Sequence, residues 1–295
     1  MIRTLPKPLP GHYPSKPRIQ RLPKRNRMTL ALGMVCNDGL MLASDTRISF
    51  TGGAVSDAQK ITGFPSKSGM YAIVHSSNDA NAANSLIAEI RAKLEKADAK
   101  TFPVLESAIK GAMQKWYVPV HDDRPTINLL IGACIEQEQE RGLYFCEPPN
   151  TVSRVWDNYR AIGDGWEVSD DIYKWFKDGS PWPSHASLCQ ISYMMYKAKQ
   201  AHPGSVGGET DVAMLTEPLT VPYWINRVDM KVAEGHGQYV FDKAVSQMAS
   251  LIMSGDSGEM KTILKTAEGI YSCGLTYSRL EFRCQFPDKT IKHDT

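Results

Sequence analysis

The stretch that most constrains the fold runs from Thr29 to Arg47. Residues 29–35 are small and apolar, and residues 40–43 form a second apolar run. The Asp38-Gly39 dipeptide between them is a strong signal for a tight β-hairpin whose two turn residues both have positive φ. A hairpin this apolar is expected to be buried on both faces, so the charges of Asp45 and Arg47 at its exit need partners.

The same stretch carries a candidate nucleophile. Thr29 heads the first predicted strand, Asp45 and Arg47 follow the second, and Lys60 comes a few residues after a Gly-Gly pair. A hydroxyl beside a carboxylate and a cation can become an activated nucleophile. Each residue alone has a more ordinary explanation, such as β-propensity for Thr29 or a solvated charge for Lys60. Only the joint spacing makes them candidates.

Composition places the chain among ordinary globular proteins. The 295 residues are 42% hydrophobic and 22% charged, with no apolar run of the roughly 20 residues that a membrane helix needs. Six cysteines lack CxxC spacing, which argues against a zinc site and favours free, buried thiols in a reducing cytoplasm. The histidines show no ligand-pair spacing, so neither a metal nor a cofactor is predicted.

The first 27 residues differ from the rest of the chain. They carry eight Lys or Arg, no acidic residue and six prolines, whereas the remainder has a net charge of −6. Prolines at this density exclude a helix, and the apolar content is too low for independent folding. There is no apolar core of a secretory signal. The alternatives are a nucleic-acid-binding arm, a removable propeptide, or a disordered extension without a role.

From Thr29 onward, strand-like and helix-like segments alternate in groups. Asn78 or Asp79 is a candidate N-cap for the first helix and Thr101 for the second. Besides the opening hairpin, strands are predicted at 58–64, 69–74, 127–135, 141–147, 151–155, 160–162, 210–216, 223–228 and 279–286, and helices at 79–97, 103–117, 167–176, 185–201 and 239–253.

This order predicts an α+β fold. Strands cluster in hairpins and do not alternate singly with helices, which disfavours a doubly wound parallel sheet. Two antiparallel sheets packed face to face, with helices outside each, would form a four-layer αββα sandwich. The predicted division is a basic, proline-rich extension or propeptide at 1–28, a folded domain at 29–254 and a C-terminal extension at 255–295.

The opening stretch resembles the start of mature proteasome β-type subunits and their bacterial relatives, including the ancestral β-subunit group, Anbu. With Thr29 set as the N-terminal threonine of that family, its aspartate falls on Asp45, its arginine on Arg47 and, with one residue deleted, its lysine on Lys60. The later segments Gly163-Asp164-Gly165 and 207–212 resemble the family's glycine turns. The resemblance covers roughly residues 28–230 and is strongest before residue 62.

The resemblance implies an N-terminal-nucleophile hydrolase that acts as a threonine-type endopeptidase. Thr29 would attack the peptide carbonyl and its own α-amine would accept the proton, while a cationic Lys60, held by Asp45, would favour the alkoxide and Arg47 would support Asp45. Backbone N–H groups near Ser77 would stabilise the oxyanion.

The implied partners are peptide or unfolded-protein substrates, a homo-oligomeric ring that encloses the site, and an ATP-dependent unfoldase. The same resemblance implies neither membrane nor nucleic-acid binding.

Three departures from the family pattern bear on peptidase rate more than on fold. Asp164 replaces a serine, and the family's Asp-x-x-Ser pair aligns with Pro203 and Val206, although Ser205 lies one residue away. A catalytically weak or inactive scaffold of the same fold, with a basic N-terminal arm, is therefore the alternative interpretation. A small-molecule amidohydrolase of this fold is a third.

The mechanism depends on a free amine at Thr29, so Met28 must be removed. One hypothesis makes Met28 the true initiator, because methionine before a small residue is readily trimmed. The rival hypothesis is autolysis, in which Thr29 Oγ1 attacks the Met28 carbonyl.

Overall fold

The computed structural model describes residues 29–49, 55–118, 125–136, 140–176, 181–216, 222–225, 227, 230–231 and 233–235. The predicted helix at 239–253, the predicted strand at 279–286 and both predicted extensions lie outside these residues. The strands are β1 (Ala31–Val35), β2 (Leu40–Asp45), β3 (Arg47–Ser49), β4 (Val55–Asp57), β5 (Ile61–Ser66), β6 (Gly69–Ser77), β7 (Ile127–Ile135), β8 (Glu140–Glu147), β9 (Thr151–Arg154), β10 (Tyr159–Ile162), β11 (Thr210–Leu215) and β12 (Tyr223–Ile225). The helices are α1 (Ala80–Ala97), α2 (Phe102–Tyr117), α3 (Trp166–Phe176) and α4 (Ser184–Ala201).

The strands form two five-stranded antiparallel sheets and a small β3–β4 hairpin. The first sheet has the order β10-β1-β2-β11-β12, and the second has the order β5-β6-β7-β8-β9. All paired neighbours run antiparallel. The predicted α+β class with antiparallel sheets is therefore confirmed, whereas the β3–β4 hairpin was not predicted.

Apolar side chains form three buried clusters that follow the period-two alternation of the strands. In β2, Met41 and Ala43 pack toward α3 and α4, while Leu40 and Leu42 belong to a cluster shared by strands of both sheets. The second sheet packs its other face against α1 and α2, with Ile73 at the contact. Burial of this apolar surface is the main force that holds the sheets and helices together.

The β1–β2 hairpin is buried as predicted, but its turn differs from the prediction. Val35 pairs with Leu40, which leaves a four-residue connection closed by a 2.7 Å hydrogen bond from the Cys36 N–H to the Gly39 carbonyl. Neither Asp38 nor Gly39 has positive φ. Glycine at 39 instead avoids crowding, because a Cβ there would lie 3.0 Å from the Leu215 carbonyl oxygen.

Of the two predicted N-caps, one makes the expected capping hydrogen bonds and the other does not. Asp79 is the N-cap of α1, and its carboxylate accepts hydrogen bonds from the Asn81 and Ala82 N–H groups. Thr101 occupies the N-cap position of α2, but its side chain makes no capping hydrogen bond. None of the helices in the described part of the chain is long and apolar enough to cross a membrane.

The predicted strands at 58–64 and 223–228 are wrong at their ends. Strand β5 runs from Ile61 to Ser66, because its pairing with β6 continues to the Gly69 turn. Strand β12 stops at Ile225, and Arg227 is already helical. The Arg227 guanidinium donates to the carboxylates of Asp211 and Glu209.

Candidate active site

Three residues predicted from their spacing meet at one point between the sheets. The Thr29 hydroxyl donates to Asp45 Oδ1, and the Lys60 ammonium donates to Thr29 Oγ1. Thr29 lies directly before β1, Asp45 ends β2 and Lys60 precedes β5. All three are buried, with exposed fractions of 7%, 0% and 3%. The structure therefore brings a hydroxyl, a carboxylate and an amine together in a site largely removed from water.

Four donors fix the Asp45 carboxylate. Besides the Thr29 hydroxyl, Oδ1 accepts from the Leu30 N–H and from Lys60 Nζ, each at 3.1 Å. The other oxygen, Oδ2, accepts from the Gly207 N–H at 3.0 Å. Hydrogen bonds to ionised groups are stronger than neutral ones, so this set both satisfies a buried charge and fixes its orientation toward Thr29.

Lys60 is held by three acceptors and has a perturbed pKa. Its ammonium donates to Asp45, to Thr29 Oγ1 and to the Arg47 carbonyl. Burial lowers the pKa of Lys60 below its ordinary value, because the cation is costly to hold away from water. The carboxylates of Asp45, Asp57 and Asp211 oppose this effect. Lys60 is thus closer to exchanging its proton at neutral pH than a surface lysine.

Arg47 acts on Asp45 through the Gly207 turn. Its guanidinium donates to the Pro203 carbonyl at 2.7 Å, and its backbone N–H donates to the Gly207 carbonyl at 3.2 Å. A Cβ on Gly207 would lie 2.3 Å from the guanidinium carbon, so only glycine allows this packing. Because the Gly207 N–H also donates to Asp45, Arg47 braces the turn that holds the carboxylate.

Two residues that the sequence analysis did not assign to the site hold the backbone of Thr29. The Ser76 hydroxyl donates to the Thr29 carbonyl at 2.8 Å. Gly163 has φ +89°, and a Cβ there would lie 1.6 Å from the same carbonyl oxygen. The glycine-turn motif at 163–165 was a signal for this close approach, whereas nothing in the sequence distinguished Ser76 from its neighbours.

The other predicted site residues lie around this centre. The Ser77 hydroxyl bonds the backbone of Asp79, at the start of α1, and not Thr29. Asp164 is half-buried in the turn between β10 and α3, and Ser205 is half-buried in the turn between α4 and β11. The described side-chain partners of Thr29 Oγ1 are Asp45 and Lys60.

His75 is a further buried group beside the site. It is 2% exposed, and neither ring nitrogen has a hydrogen-bond partner among the described residues. Burial, aided by the charge of Lys60, lowers the pKa of His75 to about 4. The ring is therefore neutral at physiological pH. Among the described residues, no three His, Cys, Asp or Glu side chains are grouped so that they could hold a metal ion.

Solved structures of Anbu proteins share this architecture. A Gly-1 mutant of Anbu from Hyphomicrobium sp. strain MC1 matches with a TM-score of 0.62 and 14% identity, covering 74% of this chain and 96% of that one. Anbu, the ancestral β-subunit, from Yersinia bercovieri matches with a TM-score of 0.60 and 15% identity over 74% and 97% of the two chains. The helical assembly of the Anbu complex from Pseudomonas aeruginosa matches with a TM-score of 0.57 and 14% identity over 74% and 96%.

No protein-family model matches the sequence, and no curated protein matches it. At 13–15% identity the structural likeness shows the fold, and similar folds carry different functions. The chain thus has an Anbu-like, proteasome-related fold.

Proposed function

We propose that this chain is a threonine-type endopeptidase that hydrolyses peptide bonds with Thr29 as an N-terminal nucleophile. The observation that carries the proposal is the contact of Thr29 Oγ1 with both Asp45 and Lys60 in a buried site. The fold supports it, since the likeness to Anbu spans 74% of the chain. The four-layer αββα arrangement is part of the proposal, supported by apolar clusters on both faces of each sheet.

The reaction begins with transfer of the Thr29 hydroxyl proton to a base. A free α-amine has a pKa of about 8 and can accept it at neutral pH. Lys60 donates to Oγ1 and, as a cation, favours the alkoxide as that proton leaves. Oγ1 then attacks the peptide carbonyl, and the C–N bond breaks as the base returns its proton to the leaving amine. Water hydrolyses the ester that remains on Oγ1, which releases the acid and restores the Thr29 hydroxyl. The backbone N–H of Ser77 is the proposed oxyanion donor, as the family resemblance implies.

The backbone contacts of Thr29 hold the residue in a fixed position, as a nucleophile requires during attack. Ser76 and Gly163 fix the Thr29 carbonyl, and the Leu30 N–H is bonded to Asp45. Holding the nucleophile in an attacking orientation supplies a large part of many rate enhancements.

The organisation of the whole protein follows the resemblance. We expect residues 29–254 to form the hydrolase domain, 1–28 to be absent from the active chain, and 255–295 to extend it. The active form would be a cytoplasmic homo-oligomer that encloses its sites, with unfolded proteins as substrates and an ATP-dependent unfoldase as a partner. The helical assembly formed by the Anbu complex from Pseudomonas aeruginosa supports the proposal of an oligomer, without indicating its form.

Labelling with an electrophilic probe for N-terminal threonine tests the proposal. The wild-type chain, with a Thr29 N-terminus verified by mass spectrometry, should be labelled on Thr29. Thr29→Ala should abolish labelling, Thr29→Ser should retain part of it, and Thr151→Ala, at an exposed strand start, should behave like the wild type. Labelling that persists in Thr29→Ala would refute the proposal.

A wild-type chain with a free Thr29 amine that resists the probe would favour the alternative, an inactive scaffold with a basic N-terminal arm. Peptide substrates compared with small amides would separate the endopeptidase from a small-molecule amidohydrolase.

A further inference from the structure

The α4–β11 loop, residues 202–209, holds the Asp45 carboxylate through its backbone. The Gly207 N–H donates to Asp45 Oδ2 at 3.0 Å, and the Pro203 carbonyl accepts from the Arg47 guanidinium at 2.7 Å. Every described hydrogen bond that joins this loop to Asp45 or to the two residues after it uses a backbone atom of the loop. The orientation of the carboxylate therefore depends on what fixes the loop.

The α4–β11 loop has little stiffness of its own. Residues 204–208 contain three glycines, which leave the backbone more conformational freedom than any other residue. Gly208 has φ +70°, and a Cβ there would lie 2.3 Å from an Asp57 carboxylate oxygen, so glycine is required at that position. The Val206 side chain anchors the middle of the loop in the apolar cluster beside α4. The two ends of the loop need a separate anchor.

A hydrogen bond between Lys199 and Thr210 joins these two ends. Lys199 lies in the last turn of α4, and its Nζ donates at 2.8 Å to Oγ1 of Thr210, the first residue of β11. Thr210 is 2% exposed and lies directly opposite Asp45 in the sheet, so both side chains share the face on which α4 packs. This contact, the Lys199–Thr210 clasp, closes the loop on the same face of the sheet as Asp45.

Glu234 balances the charge of the clasp. Its carboxylate accepts from Lys199 Nζ at 2.8 Å and from the Thr210 hydroxyl. The Lys199 and Glu234 side chains are only 16% and 15% exposed, and a charge held away from water needs a partner. Glu234 therefore stabilises the ammonium in place, whereas the direct tie between helix and strand is the bond from Lys199 to Thr210.

We propose that Lys199 and Thr210 are positioning residues for the candidate active site. Their clasp closes the α4–β11 loop, fixes the Gly207 N–H against Asp45 and so holds the carboxylate toward Thr29. The inference rests on the proposed function, in which Asp45 orients the Thr29 hydroxyl for attack. It assigns a role to two residues that the sequence analysis left outside the site.

Thr210→Val tests the clasp with little other disturbance, because it removes one hydroxyl, keeps the branched shape and leaves the Lys199–Glu234 ion pair in place. Hydrogen exchange, followed by nuclear magnetic resonance of protein carrying ¹⁵N-glycine, reports on the loop at Gly207, with Gly132 in the central strand β7 as the internal reference. We expect the Gly207 N–H to exchange about ten-fold faster relative to that of Gly132.

The rate of Thr29 labelling at saturating probe should fall by a similar factor in Thr210→Val. The probe concentration that gives half the maximal rate should stay unchanged, because the clasp orients the nucleophile and does not contact the probe. Lys199→Arg keeps a donor for Thr210 and should retain most of the wild-type rate. Adding Lys199→Met to Thr210→Val should change the relative exchange of Gly207 no further, since both substitutions break one contact.

Glu234→Gln is the matched control, because it removes a charge from the same cluster and keeps an oxygen that can accept from Lys199 and Thr210. It should leave the relative exchange of Gly207 and the labelling rate close to the wild-type values. Equal effects of Glu234→Gln and Thr210→Val would overturn the inference.

Two further outcomes would contradict the role of the clasp. Equal acceleration of Gly207 and Gly132 exchange in Thr210→Val would reduce the clasp to a contribution to overall stability. Faster exchange of Gly207 with unchanged labelling would show that the loop does not position the nucleophile. If Thr29 of the wild-type chain is never labelled, the proposed function fails, while the exchange of Gly207 still decides whether the clasp fixes the loop against Asp45.

Discussion

At the scale of single residues, the described contacts of the site converge on Asp45. Its two oxygens accept from Thr29, Leu30, Lys60 and Gly207. Asp45→Asn would replace one accepting oxygen with an amide NH₂ group. That group would face one of the N–H or O–H donors that now bind the carboxylate, so two donors would meet. We expect the rate of Thr29 labelling to fall by about 100-fold or more, as when a polarising group is lost.

Asp38→Asn is the control for Asp45→Asn, because Asp38 lies at the other end of the same hairpin. Its carboxylate accepts from the Ser184 N–H and hydroxyl at the start of α4. Asparagine keeps one of the two acceptor oxygens, so this variant should lose at most about 1 kcal/mol of stability and should be labelled at close to the wild-type rate. If the two variants lose labelling equally, the role given to Asp45 is wrong.

Ser76 offers a more selective test of how the nucleophile is held. Ser76→Ala removes the hydrogen bond to the Thr29 carbonyl, worth about 1 kcal/mol, so labelling should slow by roughly five-fold. Ser192→Ala is matched, because that buried hydroxyl donates to the Leu188 carbonyl at 2.7 Å inside α4. Both variants should lose similar stability in urea titrations, but only Ser76→Ala should slow labelling.

The site could be predicted from the sequence where spacing is rigid. Thr29, Asp45 and Lys60 are brought together by two neighbouring strands and the start of a third, so their spacing carried the information. Ser76 and Ser77 could not be separated in the same way, since adjacent strand residues face opposite sides and a one-residue error exchanges them.

At the scale of elements, the turn between β10 and α3 sets the position of the first residue of the site. Gly163 and Gly165 have similar positive φ values of +89° and +84°. Alanine at either position should cost about 1–2 kcal/mol through backbone strain. A Cβ at 163 would also lie 1.6 Å from the Thr29 carbonyl oxygen, whereas at 165 the nearest described atom is Ala198 Cβ at 3.1 Å.

Gly163→Ala should therefore abolish Thr29 labelling, while Gly165→Ala should lower stability and leave labelling largely intact. Thermal unfolding and labelling rates of the two variants at the same temperature would measure both effects. Comparable loss of labelling in the two would show that the turn matters only for stability.

Helices and strands were predicted well wherever the apolar residues repeat with a single helical or strand spacing. The helix α1 was predicted with Asn78 or Asp79 as its N-cap, and Asp79 is the cap, because an apolar stripe and a capping residue coincide there. The Asp38-Gly39 turn was assigned the wrong geometry, because neither residue has positive φ and the glycine lies instead where a Cβ would crowd the Leu215 carbonyl. Such long-range contacts leave no local signal.

At the scale of the whole molecule, the buried His75 links stability to pH. The folded chain binds a proton at His75 with a pKa of about 4, compared with 6.5 for the ordinary side chain. Between these values the unfolded chain binds more protons, so the free energy of unfolding rises with pH. The contribution is complete above pH 6.5 and is lost as pH falls toward 4.

We therefore expect the wild-type chain to lose about 2 kcal/mol of stability from this residue between pH 7.5 and pH 5, measured by urea unfolding at the two pH values. His75→Phe and His75→Asn cannot titrate in this range, so both should reduce the difference by that amount. The Phe variant should also be at least as stable at pH 7.5, because it removes two buried nitrogens without partners among the described residues. If His75→Asn keeps the wild-type pH dependence, another group controls the acid sensitivity and folding does not lower the pKa of His75.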